Sequence, residues 1–259
     1  MKLDARQDAR ATSILAALHE RGPLFRKLAA AGCLDNGVGG VLGGCSVRNI
    51  PQGMDIFAEG DFIGELLFLA RGWAYRYRLL GNGRRHVVNV LVPGDIVGPF
   101  TPTAKQFVAA LTETSIYSVA RRNLGDESRT CVGFTAAVET LIAAEYEMLA
   151  ERTVSLGRRN AKERVAHFLI EVFERLNRVG LAGDDTFELP LTQEMIGDAL
   201  GLSVVHVNRT LKVLREDGLV TLGFGRATIH DFDALSFIAD SYGVPASPPD
   251  RRLGGISMN

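Results

Sequence analysis

The chain has 259 residues, 46% hydrophobic and 23% charged, with a formal net charge of −1. That is ordinary composition for a folded soluble protein, with length for one large domain or two of common size. It excludes a globally basic protein, so a surface for nucleic acid would have to come from how charge is distributed. No run approaches the roughly 18 uninterrupted apolar residues of a membrane span. The opening stretch MKLDARQDARATSILAALHERG is too charged for a secretory leader or anchor, so a cytoplasmic protein is expected. Cys33, Cys45 and Cys131 form no Cys-x-x-Cys pair and are too few for a four-thiolate iron–sulfur cluster. They read as plain thiols of a reduced compartment, and no metal or cofactor is expected.

Residues from about 5 to 32 read as short helices. In GPLFRKLAAAG, Pro23 sits just inside a start and Gly32 just past an end. The glycine-rich DNGVGGVLGG that follows is loop-like. From about Ser46 to Ala120 the texture changes to short strands and turns. WAYRYRLL partly alternates apolar residues with Arg76 and Arg78, as a half-buried strand does. Asn82-Gly83 between two such runs is a strong hairpin signal. In VPGD, Pro93 sets φ and Gly94 is free to take positive φ. Regular short strands of this kind predict a small β-barrel or roll.

From about Gly125 to Leu156 the pattern is a long helix. Phe134, Val138, Leu141, Ile142, Met148, Leu149 and Leu156 make one stripe at three-to-four spacing, interrupted by Glu145 and Arg152. A small domain cannot easily bury so long a stripe. Pairing with a second copy is the economical solution, and these nine positions are the expected dimerisation surface. LGRRNAKERVAHFLIEVFERLNRVG restarts a helix after Gly157, with Val165, Phe168, Leu169, Val172, Phe173 and Leu176 on its apolar face.

LTQEMIGDALGLSVVHVNRTLKVLREDGLV reads as helix, tight turn, helix. Thr192 is a candidate N-cap, Gly197 is small where two helices cross, Gly201 suits the turn, and Ser203 caps the second helix. Val207 and Leu211, with Val204 and Leu214 near the edge, hold that helix in place. Val205, His206, Asn208, Arg209 and Lys212 are left on its outward side. In a helix-turn-helix the N-terminal part of the second helix enters the major groove. Arginine there can pair with guanine O6 and N7, asparagine with adenine, and lysine one turn on suits phosphate. LVTLGFGRATIHDF then reads as strand, glycine turn, strand: a wing with Arg226 near its tip. The candidate DNA-contacting set is Thr192, Ser203, Val205, His206, Asn208, Arg209, Lys212 and Arg226. Charge tempers that reading. From Glu151 to Arg226 the basic residues Arg152, Arg158, Arg159, Lys162, Arg164, Arg175, Arg178, Arg209, Lys212, Arg215 and Arg226 are matched by an equal number of acids. Asp184, Asp185 and Glu188 can lie on the far side, an arrangement that the sequence permits without requiring it.

The order of these parts resembles the Crp/Fnr family of bacterial transcription regulators over almost the whole chain. The helix-turn-helix carries the most specific match, followed by SLGRRNAKERVAHFLIEVFERL and GWAYRYRLLGNGRRHVVNVLVPGDIVG. The resemblance implies an α+β fold. Its parts would be N-terminal helices and a cyclic-nucleotide-binding-like β-roll over 1–125, a dimerisation helix over 126–157 and a winged helix-turn-helix over 158–242. A disordered tail is expected over 243–259. It further implies a homodimer on palindromic double-stranded DNA, with recognition helices about one turn apart and RNA polymerase as a partner. By position, Arg209 matches the family's guanine-reading arginine and Ser203 its turn residue at the backbone. Val205 departs from the glutamate common there.

Members that bind cyclic AMP carry Gly-Glu-Leu and then Arg-Ser/Thr-Ala after the PGD strand. Here the loop is VGPFTPTAKQFVAALTET, with Pro99 in the glutamate's place, Gln106 and Phe107 in the arginine region, and Lys105 the nearby cation. A buried phosphate without its arginine fork is poorly served. The Gly64–Leu66 GEL, with Arg76 downstream, falls before the hairpin in an earlier strand. The roll is therefore expected not to bind cyclic AMP. The alternative is a ligand-gated regulator whose roll takes a cyclic nucleotide, haem (through His19, His86 or a cysteine) or another small effector. No Gly-x-Ser-x-Gly, His-Glu-x-x-His or Walker phosphate loop points to an enzyme.

Overall fold

The computed structural model describes residues 22–33, 46–98, 100–120 and 133–239. The expected helices before Gly22, the glycine-rich loop, Pro99, His19, Cys45, Cys131 and the C-terminal tail lie outside the described residues. The first described helix, α1 (Pro23–Ala30), has proline in its first turn, and Gly32 takes φ +91° beyond its end.

Eight strands follow: β1 (Ser46–Ile50), β2 (Asp55–Phe57), β3 (Glu65–Arg71), β4 (Ala74–Leu79), β5 (Arg85–Leu91), β6 (Ile96–Gly98), β7 (Phe107–Ala110) and β8 (Thr114–Ala120). They form two four-stranded antiparallel sheets, β1-β8-β3-β6 and β2-β7-β4-β5. Strand alternation explains why both faces of β3 are apolar. Leu67 and Leu69 point between the sheets, where they meet Phe57, Leu91, Val97, Val108 and Ile116. Leu66 and Phe68 point outward onto Leu24 and Leu28 of α1 and onto Phe134 and Val138. The outer face of the second sheet is also covered. Trp73, Val87, Val90 and Val92 join one continuous core with the C-terminal half of the chain.

The hairpin joining β4 and β5 has three loop residues. Leu80 and Arg84 pair across it, Gly83 takes φ +79°, and the Asn82 side chain accepts from the Arg84 amide at 3.1 Å. This is a turn closed by a glycine bulge rather than a two-residue Asn-Gly turn.

Helix α2 (Phe134–Arg158) opens after Gly133 and runs straight through Gly157. The expected restart after Gly157 therefore falls later. Asn160 ends the long helix by capping α3 (Ala161–Arg178), accepting from the amides of Lys162 and Glu163 while Glu163 reaches back to the Asn160 amide. A reciprocal cap satisfies two orphan donors, whereas one glycine inside a helix costs only about 1 kcal/mol. Then come β9 (Thr186–Glu188), α4 (Gln193–Leu200), α5 (Val204–Glu216), β10 (Val220–Gly223), β11 (Arg226–Ile229) and α6 (Phe232–Ala239). β10, β11 and β9 form a small antiparallel sheet. Its tip is a two-residue turn in which Phe224 and Gly225 both take positive φ, 52° and 72°.

The expected dimerisation stripe divides between two destinations. Phe134 and Val138 are buried and Leu141 is partly buried, all against the chain's own roll. Glu145 turns inward to Arg76 and Asn89, and Arg152 turns inward to Glu171 and the Val88 carbonyl. Ile142 stays exposed and Leu149 and Leu156 partly so, along with Tyr146, which is 69% exposed.

Candidate nucleic-acid interface

The α4–turn–α5 unit is fixed from its caps inward. Thr192 accepts from the Met195 amide at 3.2 Å, and Ser203 accepts from the His206 amide at 3.3 Å. Gly201 takes φ +64° at the end of α4. At Gly197 a Cβ would stand 2.5 Å from the Leu202 carbonyl oxygen, so the turn closes only because that position has no side chain. Val207 and Leu214 are fully buried in the shared core, and Thr210 is buried beside them.

The opposite face of α5 is open. Val205 is 79% exposed, Val204 is exposed, and Asn208, Arg209 and Lys212 follow on the same side. His206, expected on that side, is only half-exposed. The Asn208 amide donates to Gln193 Oε1 at 3.1 Å, which ties the recognition-type helix to the first residue of α4. Lys212 lies 3.7 Å from Glu216, an ordinary exposed helix pair worth a few tenths of a kcal/mol. Nothing local in the sequence signals Gln193, because its partner is fifteen positions away.

The parity of acids and bases conceals a division of labour. Arg152 pairs with Glu171 at 2.9 Å, Arg159 with Glu151 at 2.6 Å, Lys162 with Asp217 at 2.7 Å and Arg178 with Glu174 at 3.2 Å. Arg175 is buried between Asp95 and Glu171 and also donates to the Val90 carbonyl. Arg164 donates to the carbonyls of Leu156, Arg159 and Leu200, the negative ends of two helices among them. Among the described residues, Arg209, Arg215 and Arg226 form no ion pair. Exposed Arg158 in the last turn of α2 likewise forms no ion pair, and the other uncommitted cations among the described residues of this segment are those of α5 and the wing. Glu188 is the direct cross-strand neighbour of Arg226 in the wing sheet, so it does not take the far-side position that the sequence permitted.

The roll shows what its charges do. Arg76 is buried, pairs with Glu145, donates to the carbonyls of Ile96 and Val97 and lies 5.3 Å from the Phe100 ring centroid. Lys105 is exposed, and Gln106 and Phe107 are half-buried, Phe107 stacking on Tyr77. Glu65 of the early GEL begins β3 and stands 3.8 Å from Arg48.

A β-roll, a long helix and a winged helix-turn-helix with an open, cation-bearing second helix together define a DNA-binding regulator. Residues 47–129 match the cyclic nucleotide-binding domain model, and residues 163–238 match the Crp-like helix-turn-helix domain model. The nitrogen fixation regulation protein FixK of Rhizobium meliloti is 33% identical over 177 residues, 68% of this chain and 78% of that protein. The transcriptional activator protein FnrL of Cereibacter sphaeroides is 28% identical over 73% of this chain and 78% of its own length. The structure of FixK2 from Bradyrhizobium japonicum superposes with a TM-score of 0.68 at 25% identity, over 78% of this chain and 99% of that one. The chain belongs to the Crp/Fnr family of transcription regulators, and it is a DNA-binding transcription regulator.

Proposed function

We propose that the protein binds a two-fold symmetric operator as a homodimer, each copy laying α5 into the major groove with Arg209 on a guanine. The carrying observation is the open face of α5, where Val205, Asn208, Arg209 and Lys212 project from a helix whose other side is locked into the core. Arg226 on the wing and Lys212 supply phosphate contacts, and the caps Thr192 and Ser203 bring the N-terminal ends of α4 and α5 to the backbone. His206, half-exposed, sits at the margin of this surface.

The dimer seam is the outer side of α2. Ile142, Tyr146, Leu149, Thr153 and Leu156 repeat at alternating four- and three-residue spacing, the pattern of two helices packed knobs-into-holes. This seam keeps three of the positions named from sequence, Ile142, Leu149 and Leu156, and adds Tyr146 and Thr153. We place the protein in the cytoplasm, acting on DNA and RNA polymerase; no helix among the described residues is long and apolar enough to cross a membrane.

In this reading the roll does not take cyclic AMP. Its interior is filled by apolar side chains from both sheets, Arg76 is committed to Glu145, and Lys105 faces solvent. Thermal-shift measurement with cyclic AMP should leave the melting temperature unchanged, and a clear stabilisation would favour the ligand-gated alternative. The DNA reading is tested by selecting sites from random duplex DNA with the full chain. Enrichment of an inverted repeat whose half-sites are about 10 base pairs apart, centre to centre, is expected. Failure to enrich any motif would overturn it.

A further inference from the structure

We infer that Val205 reads the 5-methyl group of a thymine, next to the guanine taken by Arg209. The inference rests on α5 being the base-reading helix. Val205 is 79% exposed near the start of α5, and Val204 beside it is 46% exposed, while the other side of the helix is buried through Val207, Thr210 and Leu214. A β-branched apolar side chain left in water gains nothing for stability and is not a strong helix former, so packing does not account for it.

The hydrogen-bonding chemistry around it narrows the choice. The only acid on α5 is Glu216, in its last turn and 3.7 Å from Lys212, so the leading half of the helix offers no carboxylate to a cytosine amino group. The amide nitrogen of Asn208 is directed at Gln193 Oε1, leaving its carbonyl oxygen as the acceptor free for a base amino group. Arg209, one residue further on, presents a guanidinium that no described residue pairs. The outward face therefore offers, in order, an apolar contact, one acceptor and a forked donor. In the major groove the apolar feature on a base edge is the thymine methyl, and a valine can be matched there by nothing else.

The test uses the full chain and a half-site enriched by selection from random DNA. Each thymine of the half-site is replaced in turn by deoxyuridine, which removes the methyl and leaves pairing intact. At one thymine the wild-type protein should lose affinity about fourfold, the equivalent of one buried methyl at about 0.8 kcal/mol. Val205→Ala, a change on an exposed position that leaves the core untouched, should show no further loss at that thymine while keeping its response elsewhere. Val205→Glu should move the selected base at that position towards cytosine. The inference is overturned if no thymine responds to deoxyuridine, or if Val205→Ala keeps the full response. Those outcomes leave the DNA reading standing, whereas failure to enrich any half-site would remove both.

Discussion

At Gly197 the presence of one carbon decides whether α4 and α5 can meet. A Cβ there would press 2.5 Å against the Leu202 carbonyl oxygen, which is backbone and cannot swing aside. Gly197→Ala should destabilise the protein by about 1–3 kcal/mol, read as a lower urea midpoint. DNA affinity should fall with it, since the same turn aims α5. The small residue, both caps and the buried Val207 were all legible in the sequence because each obeys a rule of local spacing. His206 was not, because half-burial depends on what packs beside it. Gln193 was not either, since its contact with Asn208 joins two helices across the turn.

Among the elements, the strands, the long helix and the helix-turn-helix could be read from periodicity, but their joints could not. The hairpin gains a third loop residue, and the long helix passes through Gly157 to stop at the Asn160 cap. The long-range charges were the least legible. Asp95, in the turn after β5, lies eighty positions from Arg175 of α3 and is also paired with Lys27 of α1. Burial alone would raise the Asp95 carboxyl, but Arg175 and then Lys27 reverse this and hold it at about 2. Glu171 is lowered in the same way, burial opposing and Arg152 and Arg175 prevailing. Since the folded Asp95 pKa lies below its unfolded value of 3.8, its contribution is fully present above that value. It is lost as pH falls from about 4 towards 2. Acid unfolding followed by far-ultraviolet circular dichroism should show this loss. Asp95→Ala should shrink that step, leaving the part due to Glu171. It should destabilise the protein at neutral pH by up to about 3–5 kcal/mol, since buried Arg175 keeps Glu171 but loses one of its two carboxylates and Lys27 loses its partner. An unchanged acid profile would mean that the cluster does not join the two halves energetically.

At the scale of the whole molecule, the DNA-binding half is docked on its own roll. Arg175 reaches Asp95 and the Val90 carbonyl, Arg85 of β5 meets Asp198 of α4 at 2.7 Å, and Arg26 donates to the Val179 carbonyl at 2.6 Å. That docking uses the inner side of α2 through Glu145 and Arg152, so two charges that interrupt the apolar stripe have intramolecular work. The outer side is then free for a second copy. Tyr146→Glu, placing two like charges across that seam, should shift the protein to monomer in sedimentation velocity while leaving the monomer fold intact. A dimer of unchanged strength would move the seam elsewhere. Base reading by α5 comes down to Arg209. The most direct measurement is the affinity of Arg209→Ala for the selected operator, set against a non-specific duplex at the same salt concentration. A loss of about 1–3 kcal/mol per half-site is expected on the operator, with little change on non-specific DNA and an unaltered dimer. Unchanged operator affinity in the variant would contradict that role for Arg209.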